Sequence, residues 1–200
     1  SDSKKNLSYE IFKKLEKDHY LKKINKENFN KKYFDAILNR LDENKNLFTA
    51  DEVQKYLKKS EDFTENDFDI ELAYEFINLY FERLIMFSNF QIKLIEEDEF
   101  DFKKEDYLDI FYKDNQWQSS FLDLKNLWRL ETKNDYLVIK LGESSSLEPQ
   151  SDLIKRYQNR IRRINQQKEE DIFSLAINIL TNQFDPHSSY LSPRSAEDFD

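Results

Sequence analysis

Two hundred residues fit one large domain or two small ones. Charged residues make up 36% of the chain, yet 17 Phe and 11 Tyr help bring aromatics to 15%, so the chain has the anchors to fold despite a mean hydropathy of -0.87. Average usage of roughly 7% would give about fourteen Gly; the single Gly and three Pro found here exclude most turn-rich β architectures. No G-x-G-x-x-G, Walker loop or G-x-S-x-G elbow can be written, which removes nucleotide binding by the usual glycine cradles. A net charge of -9 opposes a general nucleic-acid footprint, which needs a basic surface to release counterions. No stretch approaches the roughly 18 apolar residues of a membrane span. Residues 1–6 are polar and unlike a signal h-region, so a cytosolic chain or a removed leader is expected. With no Cys there are no disulfides or thiolate metal sites.

Apolar residues recur at helical spacing almost throughout, predicting an all-α, irregular multi-helix fold. The first helix spans about Ser8–Leu21, with Tyr9, Phe12, Leu15 and His19 on one face; a second spans about Glu27–Leu41. After a turn at Asp42–Phe48, Thr49 and Glu52 have capping-box spacing, with Phe48 and Val53 at the staple positions, and mark the next helix start. One long helix, roughly 45 Å at 1.5 Å per residue, is predicted from about Asp67 to Glu97. One of its stripes carries Ile70, Ala73, Ile77, Leu84 and Phe87 and is interrupted at Gln91; a second carries Phe76, Met86 and Phe90. So wide an apolar surface needs cover on more than one side, making this the central helix. Further helices are expected near Lys104–Phe111, Ser119–Leu141, Ser151–Gln167 and Glu169–Phe184. Trp117, Phe121, Leu124 and Trp128 are spaced for one face, Tyr136–Ile139 is ambiguous, and Gly142–Pro149 reads as a loop.

Candidate chemistry is sparse. Asp42, Asn44 and Asn46 match the first ligand positions of an EF-hand, but Leu47 stands where Gly is needed and Val53 where Glu is needed, so a capped turn is the expectation. Asp185, His187, Ser188 and Ser189 supply the residue types of a hydrolytic triad within five positions. Triad members converge from separate elements, so a turn after a helix is the plainer reading. His19 and His187 are the only histidines and lack zinc-ligand spacing; no metal and no cofactor is expected. An acidic cluster at Glu96–Glu99 with Asp101, and a basic one at Lys155, Arg156, Arg160, Arg162, Arg163 and Lys168, read as solvated faces or as a match for each other.

The C-terminal third carries more specific marks. Arg156-Tyr-Gln-Asn-Arg160, Glu169-Glu-Asp-Ile-Phe173 and the motif Asp185-Pro186-His187-Ser188-Ser189-Tyr190-Leu-Ser-Pro193 resemble the carboxy-terminal processing proteases, more narrowly the tail-specific protease branch. Upstream, Leu41-Asp42, Asn44-Lys45, Phe48-Thr49, Phe100-Asp-Phe102, Trp128-Arg129 and Lys133-Asn-Asp135 continue that resemblance in order along the chain.

The resemblance implies a bacterial cell-envelope or periplasmic serine endopeptidase that cleaves proteins from their C-terminal ends with a Ser nucleophile and a Lys base, both placed after a PDZ domain. Neither residue falls within this sequence, so no catalytic residue is assigned. Residues 1–184 are then expected to form the N-terminal helical domain, and 185–200 a loop leading into the PDZ and protease portions. Trp117, Trp128, Asp135, Thr49 and Glu52 are expected as structural anchors. The implied partners are protein or peptide substrates, the PDZ and protease domains of the same chain, and an adaptor lipoprotein; nucleic acid is not among them. The alternative is an independent helical interaction module with no protease attached.

Overall fold

The computed structural model describes residues 2–17, 29–61, 70–97, 100, 108, 116–141 and 148–184. These residues form seven helices: α1 (Asp2–Lys17), α2 (Phe29–Leu41), α3 (Ala50–Glu61), α4 (Ile70–Glu96), α5 (Phe121–Leu141), α6 (Pro149–Asn165) and α7 (Glu169–Phe184). The described chain is all-α. The single β-type contact among these residues is an isolated parallel bridge between Thr49 and Gln118. The Tyr136–Ile139 stretch lies within α5, where its β-branched residues are outweighed by helix formers on both sides. The expected Lys104–Phe111 helix apart from Leu108, residues 142–147 of the expected Gly142–Pro149 loop, His19 and the whole Asp185–Pro193 motif lie outside the described residues, and Pro149 itself is already in α6.

Local capping explains where several helices start. Thr49 precedes α3: its backbone N–H donates to Glu52 Oε2 at 2.9 Å, and the Glu52 N–H donates back to Thr49 Oγ1 at 3.4 Å. Ser120 does the same for α5, accepting the Asp123 N–H at 3.1 Å and donating to the Asp123 carboxylate at 2.6 Å. Asp171 accepts the Lys168 N–H at 2.8 Å before α7, whose first turn also holds Glu169 and Glu170. Pro149 opens α6, where its missing N–H costs no helical bond.

The chain divides into two compact units. The first holds α1, α2 and α7, α3 from Gln54 and α4 up to Leu79. Here α2 and α1 both pack on α7. Phe12, Phe29 and Phe184 meet at centroid distances of 5.3 to 6.5 Å, and Phe34, Tyr56 and Phe76 form a second trio at 5.0 to 5.9 Å. Such pairs add about 0.5–1.5 kcal/mol each beyond their buried area. Tyr33 is buried and donates from its hydroxyl to the Ala176 carbonyl at 2.7 Å, tying α2 to α7. Tyr9, which spacing puts on the apolar face of α1, is 46% exposed with the Lys13 ammonium 5.4 Å over its ring. It lies about 60° around the helix from Phe12, at the stripe's edge.

The second unit holds residues 44–53 and 80–166, including the rest of α4 with α5 and α6. Trp128 is wholly buried at its centre, stacked on Phe87 at 4.9 Å and met edge-on by Phe90 and Phe121. A further cluster joins Leu94, Ile95, Phe100, Tyr136, Leu153 and Tyr157. Trp117 precedes α5 rather than riding on it; it is half-buried, with the Lys45 ammonium 5.0 Å over its ring. Lys45 itself takes the left-handed backbone conformation at φ 53°, which lets the chain turn sharply between α2 and α3.

Candidate functional site

On α6, Leu153 and Tyr157 are fully buried, α6 packs on α5, and a polar stripe flanks that buried face. That stripe runs Asp152, Lys155, Arg156, Asn159, Arg160, Arg163, spaced three and four residues apart, and it forms one wall of a cavity of about 740 Å³. The facing wall is Glu131, Asn134 and Asp135 on α5, the same i, i+3, i+4 spacing. Phe87 and Gln91 of α4, with Asn44 and Asn46, complete most of the lining. The volume lies in the range of small-ligand sites.

Hydrogen bonds fix much of this lining in place. Asn46 Nδ2 donates to both carboxylate oxygens of Glu131, at 2.9 and 3.0 Å, while the Asn46 carbonyl accepts Trp128 Nε1–H at 2.6 Å. Tyr157 donates to Asp135 Oδ2 at 2.7 Å. Burial pushes the Tyr157 hydroxyl far above the usual tyrosine range, and the negative Asp135 beside it pushes in the same direction. Arg160 donates from Nη2 to Gln91 Oε1 at 2.9 Å, and its guanidinium lies 5.5 Å from the Phe87 ring and 5.0 Å from the Tyr157 ring. Burial lowers the Arg160 pKa from its ordinary value, though a guanidinium stays charged at any physiological pH. The described lining offers charge and amide hydrogen bonding; it contains no hydroxyl or thiol nucleophile.

A second buried network underlies the start of α3. Arg83, only 6% exposed on α4, pairs with Glu52 through Nη2 and donates from Nη1 to the Leu47 carbonyl at 2.9 Å. Its guanidinium also lies over the Phe48 and Phe121 rings. Burial pushes the Glu52 carboxyl up, but hydrogen bonds from Arg83 and Thr49 outweigh it and hold the group below its usual range.

The residues singled out in the sequence therefore fall in different places. Asp135 lines the cavity, Trp128 lies in the core and supports Asn46, and Thr49 and Glu52 belong to the Arg83 network. Asn44 and Asn46, the partial EF-hand match, line the cavity, while Asp42 is buried at the end of α2. Among the described residues, no cluster of His, Cys, Asp and Glu forms a metal site. Sequence reasoning missed Arg83 and left Gln91 as a bare interruption. The one available signal was that both sit on the buried side of α4, where a polar side chain must have a partner.

No helix of the described chain is long and apolar enough to cross a membrane. Residues 11–194 match the family model described as "Tail specific protease N-terminal domain". The chain is also similar to the tail-specific protease of Haemophilus influenzae, at 30% identity over 190 residues; the match covers 93% of this chain and 27% of that protein. The chain thus spans about a quarter of the curated relative it matches. With the family model covering almost its whole length, the chain belongs to the tail-specific protease N-terminal domain family.

Proposed function

We propose that residues 1–184 serve as the non-catalytic helical domain of a bacterial cell-envelope serine endopeptidase that processes proteins from their C-terminal ends. In this reading residues 185–200 lead into a PDZ domain and a protease body bearing the Ser nucleophile and Lys base. The helical domain holds or docks the substrate while those residues act. Family membership supports the protease context, and the observation that carries the holding role is the polar cavity of the second unit, concave and without a described nucleophile. Contacts of this kind use binding energy remote from the scissile bond to position a long chain.

The test compares two substrates in the whole protein. Deleting residues 1–184, rather than stopping short of α7, avoids stranding a helix whose packing partners are α1 and α2. With folding of the remainder checked first, kcat/KM for an unfolded protein substrate should fall much further than kcat/KM for a short peptide with the same terminal residues. Asn134→Ala with Asn159→Ala, both exposed in the cavity wall, should shift the same ratio in the same direction. An unchanged ratio in both would mean that the domain only supports its neighbours.

A further inference from the structure

The α6 stripe is unusual for this chain. The protein as a whole carries a charge of -9, yet the described cavity lining gathers four cations, Lys155, Arg156, Arg160 and Arg163, against three carboxylates. Two of those carboxylates are already engaged: Glu131 accepts from Asn46 through both oxygens, and Asp135 accepts from Tyr157. No ion pair joins Lys155 or Arg156 to another described residue. The lining is left with an excess of positive charge on one wall and hydrogen-bonding amides around it.

We propose that this cavity is a carboxylate-binding site for a peptide, with Arg156 as the principal ligand-contacting cation and Arg160 as a fixed second one. Arg160 is held before any ligand arrives, by Gln91 at 2.9 Å and by the Phe87 and Tyr157 rings, so little side-chain freedom remains to be lost on binding. A guanidinium presents parallel N–H donors that match a planar carboxylate. The excess of a single positive charge among the described lining residues suits a monoanion. A phosphate dianion would bring its second charge toward Glu131 and Asp135. The Asn134 and Asn159 amides can meet the peptide N–H and C=O groups flanking the carboxylate. This inference concerns what the cavity binds, and it stands or falls separately from whether the bound chain is later cut.

The carboxylate can come from an acidic side chain or from a chain end, and calorimetric titration of the whole protein distinguishes them. Three acetylated peptides of one sequence are compared: an amidated peptide with a central Glu, the same peptide with Gln, and the Gln peptide with a free C-terminal carboxylate. One or both carboxylate-bearing peptides should bind at least tenfold more tightly than the neutral one, and which of them does so names the source. Arg156→Gln should reduce that preference below threefold, whereas Lys168→Gln, a cation of the same basic cluster in sequence that does not line the cavity, should leave it intact. If Arg156→Gln does not fold, Lys155→Gln is read in its place. Equal binding of all three peptides, no binding of any, a preference that survives the cavity substitution, or tighter binding of inorganic phosphate than of either carboxylate peptide would each overturn the proposal.

Discussion

Arg160 and Gln91 meet through one hydrogen bond, Nη2 to Oε1 at 2.9 Å, and so a polar pair fills the place where the apolar stripe of α4 breaks. Gln91 is 1% exposed, and burying an amide without a partner is unfavourable by about 1–3 kcal/mol. Its match with Arg160 is therefore part of what joins α4 to α6. Gln91→Leu, similar in volume, should restore the stripe but deprive Arg160 of its acceptor. The expected cost is about 1–3 kcal/mol in denaturant unfolding. A neutral or stabilising result would show that Arg160 reaches water as easily as it reaches Gln91.

Glu52 gives a pH-dependent prediction. Its folded-state pKa is depressed, so its contribution to stability is complete above the unfolded value and is lost as pH falls through the folded one. Glu52→Gln keeps a capping side chain but removes the charge opposite Arg83, and should cost about 1.5–3 kcal/mol near pH 7. The stability difference between wild type and Glu52→Gln should shrink steadily below about pH 4, as the wild-type carboxyl takes up its proton. A difference that stays constant from pH 7 to pH 2 would remove the ion pair from the account.

Trp128 is expected to be the costliest single truncation in the second unit. Trp128→Ala should lose about 3–5 kcal/mol. Trp128→Phe keeps most of the ring contact with Phe87 but removes the Nε1 donor to the Asn46 carbonyl, so about 1–3 kcal/mol of loss should remain. Because Asn46 holds Glu131, this second variant should also loosen the cavity wall, visible as shifted amide resonances at Glu131 and Asn134. Unshifted resonances there would uncouple the core from the site.

Tyr33→Phe isolates one bond in the first unit. The Tyr33 hydroxyl is buried and donates to the Ala176 carbonyl, so its removal should cost about 1–2 kcal/mol. Amide hydrogen exchange in α7 should speed up more than exchange in α5, and uniform acceleration of both would show that the bond has no local role.

What the sequence made legible followed the range of the interactions. Helices α2, α4, α6 and α7 fall close to their expected spans because near absence of Gly and Pro leaves apolar periodicity uninterrupted. The start of α3 is readable from Thr49 and Glu52, since the bonds that set it span three residues. The cavity was not readable. Arg160 meets Gln91 across 69 positions and Asn46 meets Glu131 across 85, and no spacing rule reaches so far. The basic cluster was visible as composition, but splitting it into a cavity-facing stripe required knowing that Leu153 and Tyr157 bury the adjoining face of α6.

The bond from Tyr33 to Ala176 spans 143 positions, and the second unit's α5 and α6 lie between its partners in the chain. At about 5–20 residues per second, synthesis takes roughly 7–30 s to travel from one partner to the other. Throughout that interval α2 exists without α7, and the buried side of Tyr33, Ile37 and Leu38 has no helix from the chain's end to cover it. Residues 80–166 are complete before then and contiguous, so the unit that carries the cavity closes first. The unit holding the earliest helix must wait for the latest one, and a chain ending before residue 169 would contain every residue of the second unit while leaving α2 without α7.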